Sequence, residues 1–243
     1  ENTYKYLDGK DVGRYFISWN GLFLKYGDIL AAPRTFDLFS SEKIIIREIT
    51  GKYPKSIIST YSDEIYLFNM SNISINKKLN KSIDLKYITV VLNSSLMSYY
   101  FINNTAKAVR QMFPKIILQD LRQFPFKEIN LKEQEPFIQK ADLMLELNKK
   151  LQETKQNFYG ELKLEKLTNK LQKFEELEFD DFIKEYTKSK KIKFADKLEE
   201  RNFKNDWKAL FENDKKEVLE IQNQINITDK EIDQMVYKLY DLT

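Results

Sequence analysis

Apolar and polar positions change rhythm along this chain, and the change divides it. In the first part the apolar residues come in short runs. "RYFISW" and "LFLKYG" are aromatic and β-branched with partial alternation, and Asn20-Gly21 between them is a dipeptide favoured in tight turns, so the pattern predicts a β-hairpin over residues 15–26. "KIIIREI" (43–49), "SIISTY" (56–61), "EIYLFNM" (64–70) and "IIL" (116–118) extend the list of short strands, each bounded by polar or turn residues. Between them, "DLKYITVVLNSSLMSYYFINN" sets Ile88, Val91, Leu92, Met97, Tyr100 and Phe101 at roughly helical spacing. The expectation is one or two helices on a small mixed or antiparallel sheet.

Further on, the period becomes helical. Pro136 suits a first helical turn, and Phe137, Ile138, Ala141, Met144, Leu145 and Leu151 form one apolar face, predicting a helix to about Phe158. Leu164, Leu167, Leu171 and Phe174 repeat in a heptad-like seam, read as an intramolecular helix pair in preference to an oligomer contact because it is too short for a sustained coiled coil. Trp207, Leu210, Phe211, Val218, Ile221 and Ile225 continue the period. A last helix is expected to begin at Thr228, with Glu231 completing a capping box, Ile227 and Ile232 a hydrophobic staple, and Ile232, Met235, Val236 and Leu239 facing inward.

Punctuation supports the division. Five of the six glycines and four of the five prolines precede residue 130, and after Pro136 only Gly160 remains. The fold class expected is therefore α+β: a domain over 1–130 with a small mixed or antiparallel sheet and packed helices, then an all-α region over 131–243 with antiparallel helix pairs. Charge follows the same line. Residues 1–130 hold 18 Lys/Arg against 12 Asp/Glu, net +6, and 131–243 hold 22 against 25, net −3. A positive first half suits a polyanion, and a negative second half suits a scaffold.

Composition narrows the chemistry. At 243 residues, 42% hydrophobic and 14% aromatic, the chain has ample material for a core. It has no cysteine and no histidine, which removes disulfides, Cys/His zinc sites, cysteine nucleophiles and imidazole catalysis. Neither a glycine-rich phosphate loop nor G-x-S-x-G occurs. Glu153-Thr-Lys155 and Glu161-Leu-Lys163 have the E-x-K form of a metal-dependent nuclease, but in a Glu/Lys-rich segment they read as helix-surface pairs, and Asp180-Asp181 as a solvated helix start. No metal ligands are expected, nor a signal peptide or membrane span; the reading is a cytoplasmic binding module.

The order of the segments carries a resemblance. "YLDGKDVGRYFISW…LKYG", "KIIIREITGKYPKSIISTYSDEIYLFNMSNISI", "LKYITVVLNSSLMSYYF", "FPKIILQDLRQFPFKEI" and "QEPFIQKADLMLELNKKL" resemble, in that order, the TaqI-like C-terminal specificity region of type IIG restriction–modification enzymes and adenine-N6 DNA methyltransferases. The tail "FDDFIKEYTKSKKIKF…EIDQMVYKLYDLT" looks like the helical end of those chains. The resemblance implies a target recognition domain that grips duplex DNA and chooses the sequence to be methylated and cut. It also implies a methyltransferase domain, in the same or a partner chain, that takes S-adenosylmethionine, and Mg²⁺ for a nuclease domain. No N-P-P-Y-like tetrapeptide occurs in these 243 residues, so neither cofactor is expected on this segment and the segment itself is expected to be no enzyme.

Reading bases requires Arg, Lys, Asn or Gln projected from loops, with cations and hydroxyls for phosphates. The candidates are Arg47, Thr50, Lys52, Lys55 and Ser56 in the "REITGKYPKS" segment, and Asn103, Asn104, Lys107, Arg110 and Gln111 in a second segment. The competing reading for each is a solvated side chain or a salt bridge at the core edge. Asn103 to Gln111 is expected to be a DNA-approaching loop, Phe113 to Leu118 the strand behind it, and "DLRQFPF" the close of the domain. The alternative functions are a helical protein-interaction module and a separate specificity subunit of a restriction–modification complex.

Overall fold

The structure is a computed structural model that describes residues 2–77, 82–105 and 114–242. Among these residues the strands are β1 (Thr3–Leu7), β2 (Val12–Gly13), β3 (Phe16–Ile17), β4 (Phe23–Lys25), β5 (Lys43–Arg47), β6 (Ser59–Ser62), β7 (Leu67–Phe68) and β8 (Asn72–Asn76). The helices are α1 (Asp37–Ser40), α2 (Leu85–Leu92), α3 (Ser95–Asn104), α4 (Leu118–Leu121), α5 (Leu131–Leu162), α6 (Phe179–Lys190) and α7 (Lys197–Leu239). The fold is α+β. The chain packs as two units, one of Glu1–Glu146 with Thr228–Thr243 and one of Leu147–Ile227. The sequence boundary near 130–136 falls where α5 begins; the packing divides the chain within α5 and again within α7.

In the first unit β5 is the centre of an antiparallel sheet of order β6-β5-β8, with Ile44 opposite Tyr61 and Ile75. Ile44, Ile45 and Ile46 are all fully buried, which is why this strand reads as an unbroken apolar run: both of its faces are covered. Ile45 joins a cluster with Leu7, Val12, Phe39, Tyr66, Leu67 and Phe68, while α2 lies against β5 and β6. A second, mixed sheet has the order β4-β1-β7, and β2 pairs with β3. Lys43 is wholly buried, its Nζ donating to the Ser41 and Glu64 carbonyls at 3.0 and 2.7 Å. Desolvation lowers its pKa to about 8, against the opposing pull of Asp63 and Glu64.

The expected helical stretch forms two helices, and the side chains at the break explain why. Ser94 caps α3 by accepting from Met97 N, and the buried Asn93 amide satisfies Ser59 N, Ser59 Oγ and Ser59 O of β6 at 3.1, 3.0 and 2.9 Å. Several other expectations are corrected. No hairpin spans 15–26: Gly21 turns the chain with φ 87°, but β3 pairs with β2 and β4 pairs with β1. Asn20 spends its side chain on Asp11 Oδ2 and Leu22 N, so the turn is local while the pairing is not. "IIL" is no strand, since Leu118 opens α4. β8, which the sequence reading omitted, is a full partner of β5.

α5 begins at Leu131 rather than near Pro136, because Asn130 and Glu133 form a reciprocal capping box with both bonds at 3.0 Å. Pro136 lies inside the helix. α7 runs unbroken through Thr228; with no glycine or proline from 197 to 239, nothing ends the helix that would have to end before Thr228 could cap another. Ile227 is half exposed, so no staple forms, and the helix's cap is Asp196, which accepts from Leu198 N and Glu199 N.

The second unit is built on aromatic packing. Phe158, Phe174, Phe182 and Phe211 are fully or almost fully buried, with ring centroids 3.9 Å apart for Phe158–Phe174 and 4.6 Å for Phe182–Phe211. In the Leu164–Phe174 seam Leu171 and Phe174 are fully buried and Leu164 and Leu167 partly so, but its backbone is not a continuous helix: Lys163 is left-handed at φ 49°, and residues 171–176 form a 3-10 segment. Asp180 and Asp181 do occupy the first turn of α6. A buried pair, Lys155 Nζ to Glu175 Oε1 at 2.5 Å, is joined by Gln222 Nε2 at 3.0 Å.

Candidate nucleic-acid interface

Beyond Arg47, β5 changes partners. Glu48 N still donates to Ser71 O at 2.9 Å, but Ile116 N then donates to Glu48 O at 2.9 Å and Thr50 N to Pro114 O at 3.0 Å, with Ile49 bridged to Lys115. The "REITGKYPKS" stretch therefore lies directly beside Pro114 to Ile116, some 60 residues further along the chain, at one edge of the first unit. Of the strand expected over 113–118, Phe113 lies outside the described residues and 114–118 keep only this short pairing before α4. Lys115 Nζ meets Glu48 Oε2 at 3.1 Å on the same edge.

Gly51 to Ser56 then make a closed loop, fastened by Gly51 N to Ser56 O at 2.7 Å and Lys55 N to Lys52 O at 3.1 Å. Lys52 and Tyr53 are exposed on it, and Tyr53–Pro54 is a cis peptide. Its far end rests on α3, where Ser98 Oγ accepts from Ser56 N at 2.9 Å. The last turn of α3 presents Asn103 and Asn104, both exposed, with Nδ2 donating to the Tyr99 and Tyr100 carbonyls at 2.8 and 2.9 Å.

The candidates thus differ in what they are free to do. Arg47 is half-buried with no ion pair among the described residues, and Lys52 is exposed. Thr50 is buried and its hydroxyl donates to Pro114 O at 3.2 Å; Ser56 is buried as well. Lys55 Nζ lies 2.8 Å from Asp233 Oδ1 and 3.2 Å from Asp229 Oδ1. Lys107, Arg110 and Gln111 lie outside the described residues.

Two features escaped the sequence reading. Arg34 is exposed, unpaired among the described residues, and lines two adjoining clefts of about 480 and 370 Å³ together with Met70, near Asn69 in one and Asn72 and Ser74 in the other. The second feature is the set of Arg14, Asn93, Ser95, Asp229 and Asp233, whose only sequence signal was two carboxylates four apart beside the apolar Ile232 and Val236. Chemically, the edge offers unpaired cations for phosphates and exposed amides for base edges. Among the described residues there is no group of three or more His, Cys, Asp or Glu able to hold a metal ion, and no helix long and apolar enough to cross a membrane.

Residues 130–236 match a family model described only as a domain of unknown function, DUF8810. No curated protein matches the chain. Residues 4–126, which include β2 to β8, all but the first residue of β1 and the edge just described, match the model of the TaqI-like C-terminal specificity domain. The chain belongs to the TaqI-like C-terminal specificity domain family, whose part in restriction–modification enzymes is DNA recognition.

Proposed function

We propose that this chain recognises a specific duplex DNA sequence as the specificity domain of a type IIG restriction enzyme or adenine-N6 DNA methyltransferase. Catalysis then belongs to methyltransferase and nuclease domains, in the same or a partner chain, that use S-adenosylmethionine and Mg²⁺ in the cytoplasm. The observation that supports this reading is an edge of a specificity-family unit where residues 48–50 bond to 114–116 and the 51–56 loop rests on α3, the helix that ends in the exposed Asn103 and Asn104. On it, Arg47 and Lys52 take phosphates or guanine edges, Asn103 and Asn104 take adenine edges, and Lys107, Arg110 and Gln111 act from the adjoining segment. Lys55, Thr50 and Ser56 support the edge from below, and Arg34 adds a cation beside it. The helical unit of Leu147–Ile227 is the surface that docks the methyltransferase domain.

Selection from a random duplex pool, followed by anisotropy titration of the selected duplex, tests the reading. The expected result is an enriched sequence bound with steep salt dependence and no methyl transfer or cleavage by the segment. Replacing Lys107 and Arg110 together by alanine should weaken binding with folding intact. A chain with no affinity for duplex at low salt would refute the reading.

A further inference from the structure

Asp229 and Asp233 stand one turn apart on α7, where it forms part of the first unit. Arg14 meets Asp229 with both terminal nitrogens, at 2.7 and 3.2 Å, and also donates to Asn93 O at 3.0 Å. Lys55 Nζ reaches both Asp233 oxygens at 2.8 Å. The same carboxylate accepts from Ser95 N at 2.8 Å and Ser95 Oγ at 2.7 Å. Ser95 is the first residue of α3, so its N–H is one of the donors a helix cannot satisfy internally; Asp233 supplies the acceptor from another element. All four charged side chains are largely shielded, at 16 to 21% exposure.

One carboxylate therefore grips both segments of the candidate interface at their roots. Lys55 belongs to the loop that presents Lys52, and Ser95 heads the helix whose far end presents Asn103 and Asn104. α3 is about 15 Å long at 1.5 Å per residue, so a tilt of about 5° at its start moves its far end by more than 1 Å. That is enough to spoil a bidentate hydrogen bond, whose useful range is only about 0.5 Å wide. Resting on the recognition reading above, we propose that Asp233 is a positioning residue for DNA discrimination: it touches no base, but sets the loop and the helix in one fixed register.

The test uses the full chain with Asp233→Asn, Asp233→Ala and, as a destabilised control that leaves the carboxylate in place, Ile232→Ala. Hydrogen exchange is followed at Gly51 to Ser56 and at Ser95 to Asn104, and affinity is measured for the selected duplex against a scrambled one. Asp233→Asn keeps an acceptor for Ser95 N but loses the charge facing Lys55, so exchange should quicken in the loop and not at the start of α3. Asp233→Ala should quicken both and lower discrimination about tenfold or more, while Ile232→Ala leaves the ratio of the two affinities unchanged. A wild-type chain that binds duplex, with variants that keep full discrimination or the exchange pattern of Ile232→Ala, overturns this inference alone. A wild-type chain without duplex affinity at low salt overturns the recognition reading and the inference with it.

Discussion

Ile232→Ala examines where the end of α7 belongs. Ile232 has no solvent exposure, and its helix neighbours Asp229 and Asp233 bind Arg14, Lys55 and Ser95 of the first unit. The substitution removes three carbons, worth about 2.4 kcal/mol at about 0.8 per methylene. The cavity left behind adds to this, so the total should lie near 3 to 4 kcal/mol, inside the ~2–5 range for such truncations. At a urea slope of about 2 kcal/mol per M this lowers the midpoint by about 1.5 to 2 M. The chain has two tryptophans, Trp19 against the Leu7–Phe68 cluster and Trp207 against the aromatic cluster of the second unit, so single-tryptophan variants report each unit by fluorescence. The Trp19 transition should move. If it holds while only the Trp207 transition shifts, Ile232 supports the other unit and the assignment fails.

Three further outcomes follow from the same contacts. Arg47→Ala and Lys52→Ala should each reduce the slope of log affinity against log salt by about one, measured by anisotropy over a salt series; unchanged slopes would assign both cations to structure. Stability should rise with pH from about pH 8, because the Lys43 pKa is about 8 folded against 10.5 unfolded and the unfolded chain holds the extra proton between them, a gain of up to about 3 kcal/mol. The rise should turn over near pH 10, where unfolded tyrosines ionise before the buried Tyr66 and Tyr87, whose pKa values burial raises, and Lys43→Met should flatten the rising limb in urea titrations. Lys155→Ala leaves the buried Glu175 carboxylate with the Gln222 amide but no cation, costing about 3–5 kcal/mol at the Trp207 transition, whereas Lys155→Met with Glu175→Leu should lose much less.

What the sequence disclosed depends on how far each element's cause reaches along the chain. β5 is legible because three consecutive isoleucines can only be a doubly covered strand or a buried turn of helix, and the polar residues around them limit the length. The α2–α3 break, which helical spacing alone left open as one helix or two, has a local cause as well, since Ser94 caps the residues that follow it. The 15–26 hairpin failed because Asn20-Gly21 specifies a turn but not the partner of the strand it releases. Leu164 to Phe174 recur at a spacing set by burial, which a 3-10 segment satisfies as well as a helix does. In the candidate interface the sequence names residue types but not what already occupies them. Lys52 and Lys55 are indistinguishable by type, and what separates them is a carboxylate 178 residues from Lys55.

The family match ends at Phe126, yet the folded unit that contains it is closed by residues far beyond that point. Tyr240 Oη donates to Pro125 O at 2.7 Å and accepts from Lys127 N, while Lys127 Nζ donates to Leu239 O at 2.7 Å. A chain ending at Asn130 would lose these bonds, the buried Ile232 and Val236, and the carboxylates facing Arg14 and Lys55. Leaving one largely shielded cation unpaired costs up to about 3–5 kcal/mol, and a domain's whole stability is about 5–15 kcal/mol. The fragment 1–130 should therefore show no cooperative urea transition at Trp19, and joining residues 225–243 to it through a flexible linker should restore one. A cooperative transition in the bare fragment would mean that the TaqI-like segment closes its own core and that the end of α7 is an attachment rather than a part of the unit. The contrast matters for function, because only in the first case does a change at Asp229 or Asp233 reach the edge that carries Arg47 and Lys52.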